Sequence, residues 1–444
     1  MLLAALLLGA VASPIDAHAQ VITTSPPHVV MPPWNAQQIF QPHPWPDLTD
    51  PDSKDLVAPE DTPVKTRVYP DYKARGIRAG DWMFDPSVTA GTLFDSNVYS
   101  APSNPQSDLA ARLGAAFDAH TLWDRHGLDL QLWAQSLLYA HHPGLNENDV
   151  SFRGTGHFDI DHATQLLGTF QAAYLHDQVG TLTSPTNAIE PTPYGFLSGD
   201  VTLRREFGRF TGSAGVRTDA YDYGQTLAQN GSIINQDARD GQIYTAYSRV
   251  DYALSDKTAL FTAYEHNWRN LRGTPTESLS SYGDRVLAGI DVELTHLIKG
   301  EFAGGYQRQH FYSQQIGDIS GPAWRAIVTW SPSRRMDVHF NYEQIVTEAS
   351  DTSLTGIFAK AAIAGIDYEL RPNVVLSTAA FYEKDDFKGE PRKDDVYGVD
   401  AQIKYLMNRV TSLSLHYRYT KRDSNIPADS FDKHEIGLGV TARF

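Results

Sequence analysis

Apolar side chains recur at every second position of this chain from about Gly80 to its last residue. Between Val150 and Asp161, for example, Val, Phe, Gly and Ile alternate with Ser, Arg, Thr, His and Asp. Successive side chains of a β-strand point to opposite faces, so this pattern predicts strands with one face in an apolar medium and the other in a polar one. The fold class is therefore expected to be all-β.

The number and spacing of these segments predict how the strands are joined. Eighteen segments are predicted, with sixteen as the alternative count, and they begin near residues 83, 109, 128, 150, 166, 194, 210, 243, 259, 285, 301, 323, 337, 357, 374, 396, 410 and 431. Short connections such as 206–209 alternate with long ones such as 178–192. This arrangement is typical of a transmembrane antiparallel up-and-down β-barrel, in which both termini would be periplasmic.

A soluble β-sandwich or propeller also has short strands at regular spacing. Two features favour the membrane barrel. The apolar face contains many Gly and Ala residues, and lipid fills the gaps that these would leave in a packed core. The last segment also resembles the assembly signal of bacterial outer-membrane barrels, because its apolar face ends in Phe: Ile436, Leu438, Val440, Ala442 and Phe444.

Composition excludes several other classes of protein. The mean hydropathy is −0.37, and the longest apolar run, from Leu2 to Ala12, is too short to span a membrane as a helix. The chain has no Cys, which excludes disulfide scaffolds and Cys-ligated metal sites. Its net charge of −16 argues against a nucleic-acid partner, because phosphate neutralisation requires clustered Lys and Arg.

The chain is predicted to have three parts. Residues 1–19 are predicted to be a signal peptide, cleaved before Gln20. Residues 20–80 are rich in Pro, which fixes φ and removes a hydrogen-bond donor, so they are expected to form a periplasmic arm or linker. That arm is either a disordered spacer or a docking segment that meets another component through Trp34 and Trp45. Residues 81–444 are predicted to form the barrel.

The approach to the first strand resembles a known family. The residues are Gly76-Ile77-Arg78-Ala79-Gly80, Pro86-Ser87-Val88, Gly91 and Phe94-Asp95-Ser96-Asn97-Val98-Tyr99. They are similar to the start of the barrel in the Putative beta-barrel porin 2 family, outer-membrane barrels often encoded in exopolysaccharide loci. The resemblance implies a channel role, linked in some members to polymer export, and it brings no catalytic residues. Asp95 and Asn97 are also expected to close a local turn.

Eighteen strands enclose a lumen wide enough for an aqueous channel. The charged residues at the polar positions are therefore predicted to line a pore. The basic ones lie near mid-strand: Arg112, Arg153, Arg204, Arg217, Arg249, Arg285, Arg325 and Arg418. The acidic ones lie nearer the turns: Asp118, Asp159, Asp161, Asp251, Asp291, Glu293, Asp367, Glu369 and Asp400. Two interpretations stay open, a selective arginine belt above an acidic periplasmic mouth, or cross-strand pairs that stiffen the wall.

Aromatic residues are expected in two roles. Those at the polar positions suggest a stacking surface for sugars: Trp133, Tyr139, Tyr221, Tyr247 and Tyr264. Others are predicted to anchor the barrel at the membrane interfaces: Trp123, Tyr252, Trp324, Trp330, Tyr405 and Tyr417.

No motif of a known hydrolase, metalloprotease or phosphate-binding loop occurs in the sequence. Asp385-Asp386 and Asp394-Asp395 are expected in a solvated, mixed-charge loop, with a water-activating or calcium-binding rim as the alternative. We therefore expect neither an enzyme nor a cofactor. The predicted function is a porin-like channel for small polar solutes or saccharides, and the alternative is a component of an exopolysaccharide export apparatus. The expected partners are outer-membrane lipid, lipopolysaccharide, the barrel-assembly machinery and, for the alternative, periplasmic polysaccharide-export components.

Overall fold

The computed structural model of this protein describes residues 63–65, 67, 69–181, 184–185, 187–273, 279–295, 297–313, 317–348, 356–388 and 390–444. The predicted signal peptide, Trp34 and Trp45 lie outside these residues. Eighteen long strands dominate the described chain: β1 (Trp82–Asp95), β2 (Asp108–Thr121), β3 (Gly127–Tyr139), β4 (Glu147–Asp159), β5 (Thr164–Asp177), β6 (Thr192–Phe207), β7 (Phe210–Tyr223), β8 (Gly241–Ser255), β9 (Thr258–Leu271), β10 (Ser281–Thr295), β11 (Ile298–Phe311), β12 (Ile319–Ser333), β13 (Met336–Glu348), β14 (Gly356–Arg371), β15 (Val374–Lys388), β16 (Lys393–Leu406), β17 (Thr411–Ser424) and β18 (Phe431–Arg443).

The eighteen strands form one closed antiparallel barrel. Each strand pairs with its neighbours in the chain, and β1 pairs with β18, so that Ser87 faces Arg443 and Asp95 faces Glu435. The predicted fold class is confirmed, and the alternative of sixteen strands is wrong. A three-residue strand, Ile77–Ala79, folds back on the start of β1 through Gly80, whose φ of 62° suits a residue without a side chain.

The two ends of the barrel differ, as the spacing of the segments predicts. Two-residue turns such as 208–209 and 256–257 connect strands at one end, which is called the short-turn end below. Longer connections such as 178–191 and 224–240 lie at the other, the long-loop end. One predicted loop is wrong: strands β15 and β16 extend through most of 385–395 and leave only 389–392 between them.

Single 3-10 turns lie at the long-loop end, at Pro143–Leu145, Asp237–Arg239 and Pro427–Asp429. In the part of the chain that the structure describes, no helix is long and apolar enough to cross a membrane.

The two faces of the barrel wall have opposite chemistry. On β7, Val216 is 61% exposed while the next residue, Arg217, is 5% exposed. The same alternation runs around the wall, with large apolar side chains outside and polar or charged ones inside. The apolar residues of the last segment follow it, because Ile436, Leu438, Val440 and the terminal Phe444 are exposed on the outer face. An outer surface of this kind requires an apolar surrounding, which lipid provides.

Candidate functional site in the barrel lumen

The inner wall of the barrel contains all eight arginines that the sequence suggests for the pore. Each lies at an inward-facing position of its strand and is buried or half-buried, while most of the residues next to them in the sequence are exposed on the outside. Six of them form ion pairs with acids: Arg204 with Glu206, Arg217 with Asp219, Arg249 with Asp251 and Glu301, Arg285 with Glu343, Arg325 with Glu301, and Arg418 with Asp400. The inner wall is therefore a network of paired charges more than a belt of positive charge.

Arg249 is the hub of the largest of these groups. Its Nε donates to Asp251 at 2.9 Å, and its Nη1 donates to Glu301 at 2.7 Å. Its guanidinium also lies 3.8 Å from the centre of the Phe261 ring, within the range of a cation–π contact. Arg325 approaches the other oxygen of Glu301 at 3.4 Å. These residues come from four different strands, so the network ties β8, β9, β11 and β12 together.

The predicted acids fall into several environments. Asp251, Asp291 and Asp400 accompany arginines on the inner wall. Glu293 lies at the short-turn end of β10, within 3.7 Å of Lys257 and 3.6 Å of Lys299. Other inward acids lie beside neutral side chains or His. Asp118 is opposite Gln131 in the register, Asp159 accepts from Gln165, and Asp367 lies 3.6 Å from His339.

Asp161 and Tyr264 lie elsewhere than the sequence suggests. Asp161 occupies the turn between β4 and β5, where the backbone N–H of Ala163 donates to it at 2.8 Å and lowers the pKa of its carboxyl. Tyr264 is 45% exposed on the outer face of β9 and donates to Asp284.

The other aromatic residues lie on the predicted sides of the wall. Four of them lie at inward positions: Trp133, Tyr139, Tyr221 and Tyr247. The predicted anchors Trp123, Tyr252, Trp324, Trp330, Tyr405 and Tyr417 lie on the outside.

The predicted set of inward acids omits several at the long-loop end. They follow the same alternation, which is the signal that could have found them: Asp95, Asp108, Glu147, Asp177, Glu383, Asp385 and Asp394. Asp385 and Asp394 face each other across β15 and β16, and both are fully buried. The expectation of a solvated loop for these two residues is therefore wrong. Arg392 binds Asp394 and lies 3.3 Å from Asp429.

The sequence places Asp95 and Asn97 at a turn, and the structure has them there. The backbone N–H of Asn97 donates to the Asp95 carboxylate at 2.8 Å. The Asn97 side-chain amide then donates to the carbonyls of Ala101 and Asp432. These bonds fix the start of the β1–β2 loop against the last strand.

One long loop enters the lumen from β5. Residues 178–181 reach the inner face of β17, where Arg422 donates to the carbonyl of Gly180 at 2.8 Å. Ser100 donates to the neighbouring carbonyl of Val179 at 3.1 Å. Val179 also packs with Val98 and Leu145 in a small apolar cluster. The loop therefore narrows the lumen at the long-loop end.

The end of β13 narrows the lumen from another side. Pairing between β12 and β13 stops at Arg325 and Glu343, although β13 continues to Glu348. Beyond that point, Arg269 of β9 donates to the carbonyl of Val346, and Gln307 of β11 donates to the carbonyl of Gln344, each at 3.2 Å. Strand β13 therefore leans across the inner face of its neighbours. An apolar cluster completes the contact: Leu271, Leu279, Phe311, Ile319, Val346 and Phe358.

The end of the Pro-rich arm is held at the short-turn end. Arg67 forms a buried ion pair with Glu369 at 3.0 Å, with side-chain exposures of 4% and 3%. The hydroxyl of Tyr69 donates to the same carboxylate at 3.0 Å, and burial together with this bond raises the pKa of the phenol. The backbone N–H of Val64 donates to Asp337 at 2.7 Å. Glu369, predicted as part of an acidic mouth, thus anchors the arm.

Throughout the described ranges, no group of three or more His, Asp or Glu residues is arranged to hold a metal ion.

Comparison with known protein families gives a match that spans most of the chain. The model of the family described as Putative beta-barrel porin 2 matches residues 69–444. No curated protein matches the sequence. Solved structures resemble the chain only distantly. OccAB3 of Acinetobacter baumannii has a TM-score of 0.44 and 11% identity over 82% of this chain and 100% of its own. A BenF-like porin of Pseudomonas fluorescens has a TM-score of 0.45 and 10% identity over 81% of this chain and 99% of its own. The siderophore receptor PirA of Pseudomonas aeruginosa has a TM-score of 0.42 and 9% identity over 83% of this chain and 81% of its own.

Proposed function

The chain belongs to the Putative beta-barrel porin 2 family of outer-membrane barrels, and from this premise we propose that it is a passive channel for small polar solutes, including saccharides. Family and fold give a porin-type channel and favour it over an enzyme. The proposal adds the class of solute and the mode of passage.

The observation that carries the proposal is open, polar space inside the barrel. Asp129, Thr155, Thr329 and Asn341 lie at inward positions of four strands, and all four are solvent-exposed. Exposed polar groups on the inside of a closed wall imply a lumen that water can occupy. A barrel of this size is not filled by its own side chains. Polar solutes small enough to pass the narrowed long-loop end are therefore expected to diffuse through.

A liposome-swelling assay with sugars of increasing size tests this function. Vesicles with the folded wild-type barrel should swell with monosaccharides and more slowly with larger sugars. Arg422→Gln removes the bond to the 178–181 loop and should speed entry of the larger sugars. Arg308→Gln is the matched control, because Arg308 lies at an outward, 58% exposed position of β11 and contacts Asp318. Vesicles that contain folded barrel but admit no sugar would refute the channel.

The eight predicted pore arginines together are expected to give the channel only weak charge selectivity. An arginine paired with a carboxylate adds little net field to the lumen, and six of the eight predicted arginines are paired in this way. Four of these pairs join different strands, which supports wall stiffening as their role: Arg249 with Glu301, Arg285 with Glu343, Arg325 with Glu301 and Arg418 with Asp400. Cross-strand charge pairs contribute about 0.2 to 1 kcal/mol each.

We also propose that residues 1–19 are a signal peptide and that the short-turn end faces the periplasm. The support is the sequence pattern at the amino terminus and the position of Val64 and Arg67 at the short-turn end. Mass spectrometry of the mature protein should find Gln20 as the first residue. Protease added to intact cells should cut the long-loop end and leave the short turns intact.

A role in exopolysaccharide export is the second candidate. It is supported by the anchored end of the arm, because this contact would present the preceding Pro-rich residues at the barrel mouth to periplasmic export components. Deleting residues 20–62 separates the two functions. A diffusion channel should keep its conductance without them, whereas an export component should lose polymer secretion from the cell.

A further inference from the structure

Arg153 differs from the other arginines of the inner wall. It lies near the middle of β4, and within the described ranges it has neither an ion pair nor a hydrogen bond, while its Nε is buried. The nearest acid along the wall, Asp129, lies diagonally across on β3 and forms no ion pair with it. Asp149 and Asp159 on its own strand are bound by His176 and Gln165. The positive charge of Arg153 is therefore left uncompensated.

Arg217 on β7 shows the contrast, because acids neutralise its charge. Its Nε donates to both carboxylate oxygens of Asp219, each at 2.9 Å. Asp200 also lies directly opposite Arg217 in the register of β6 and β7. Arg217 is three strands away from Arg153 and is not one of the groups beside it. An anion in the lumen is therefore expected to meet an uncompensated positive charge at Arg153.

The residues next to Arg153 are neutral and polar. Gln131 of β3 and Gln171 of β5 lie directly opposite it in the register and point inward with it. Side-chain amides donate hydrogen bonds without adding charge. Guanidinium groups bind carboxylates and phosphates through paired N–H donors, which makes an oxyanion the ligand that fits best.

We propose that Arg153 forms an oxyanion-binding subsite in the lumen, flanked by Gln131 and Gln171. It would take a carboxylate or phosphate group of a permeating solute. The inference deepens the proposed channel function, since the solute reaches the subsite through the lumen. A channel with this subsite favours anionic solutes at one point of its wall, although most of its other arginines are neutralised.

Phosphate binding to the detergent-solubilised, folded barrel tests the subsite without requiring conduction. The probe is inorganic phosphate, followed by ³¹P NMR line broadening in a phosphorus-free detergent. Wild type should bind, Arg153→Gln should weaken binding by at least about tenfold, and Arg153→Lys should retain part of it because the charge remains. Lys404→Gln is the matched control, since it removes one positive charge from the inner wall of β16. Heat-dependent gel mobility confirms that each variant is folded.

Each outcome separates the subsite from the channel. Absence of phosphate binding in wild type, equal binding by Arg153→Gln, or an equal loss in Lys404→Gln would overturn the subsite. Phosphate binding by a barrel that does not conduct would refute the channel and leave the subsite standing. Glucuronate as competitor distinguishes the source of the oxyanion: displacement of phosphate indicates an acidic saccharide, and resistance to displacement indicates a phosphate-bearing solute.

Discussion

The contact between the arm and the barrel mouth gives the sharpest prediction. Glu369 accepts from both Arg67 and Tyr69, and it is 3% exposed. Glu369→Gln would remove the carboxylate charge that Glu369 places beside the buried guanidinium of Arg67. Removing one partner of a buried ion pair costs about 3 to 5 kcal/mol. Each 1.4 kcal/mol is tenfold, so the equilibrium between the docked and released arm should shift by at least about 100-fold toward release.

Hydrogen exchange measures this shift at two backbone amides. The N–H of Val64 donates to Asp337 and that of Arg67 to the carbonyl of Pro63, so both are protected while the arm is docked. Glu369→Gln should speed the exchange of both amides by at least about 100-fold. Glu293→Gln, at the same end but 31% exposed, is the control and should leave both amides unchanged. Unchanged exchange in Glu369→Gln would refute the anchoring role of the ion pair.

Three further predictions concern the stability of the wall. Arg249→Met leaves Asp251 and Glu301 without their main partner, and it should lower the free energy of unfolding by about 3 kcal/mol, measured by Trp fluorescence in urea. The control Arg204→Met should lower it by less than about 1 kcal/mol, because its partner Glu206 is 36% exposed. Equal losses in the two variants would contradict the network. Gly305→Ala places a Cβ 1.8 Å from the carbonyl oxygen of Val286 and should reduce the yield of folded barrel, whereas Gly168→Ala, with its nearest atom 3.9 Å away, should fold normally. Asp161→Ala should lower the melting temperature at neutral pH, because a carboxyl with a lowered pKa stabilises the fold above its unfolded pKa of about 3.9. The difference in melting temperature from wild type should vanish as the pH falls through the lower pKa of the folded state. A difference that persists in acid would contradict the turn bonds.

The number of strands and the face of most side chains could be predicted from the sequence. Period-two alternation fixes which residues share a face, and in a membrane barrel the lipid makes that contrast strong along the whole strand. The strand that contains Tyr264 is an exception, because apolar residues such as Phe261 and Leu260 occupy both of its faces. Its alternation is weak, and the direction of Tyr264 was predicted wrongly.

The lengths of β15 and β16 at the long-loop end could not be predicted, for a physical reason. Strands β15 and β16 extend to positions where the outward side chains are charged too, such as Lys384, Asp386 and Asp395. Above the apolar band the two faces no longer differ in polarity, so the alternation disappears from the sequence while the hydrogen-bonded strands continue. Asp385 and Asp394 therefore looked like loop residues.

Pairs of inner charges on different strands could not be predicted from spacing, although a pair two residues apart on one strand, such as Arg217 with Asp219, follows from the alternation. Pairing between strands depends on their register, which decides, for example, that Arg249 meets Glu301 across two intervening strands. The contact between Arg67 and Glu369 joins the arm to a strand near the other end of the chain. The inward lean of β13 is likewise a tertiary feature, since its residues alternate as in any other strand.

Single-channel recording in a planar lipid bilayer tests the central claim most directly. The purified, folded wild-type barrel should add discrete current steps of uniform size, with a current that rises linearly with voltage through a water-filled lumen. Insertion of folded barrel, verified by its heat-dependent gel mobility, without any such steps would contradict the account of this protein as a channel.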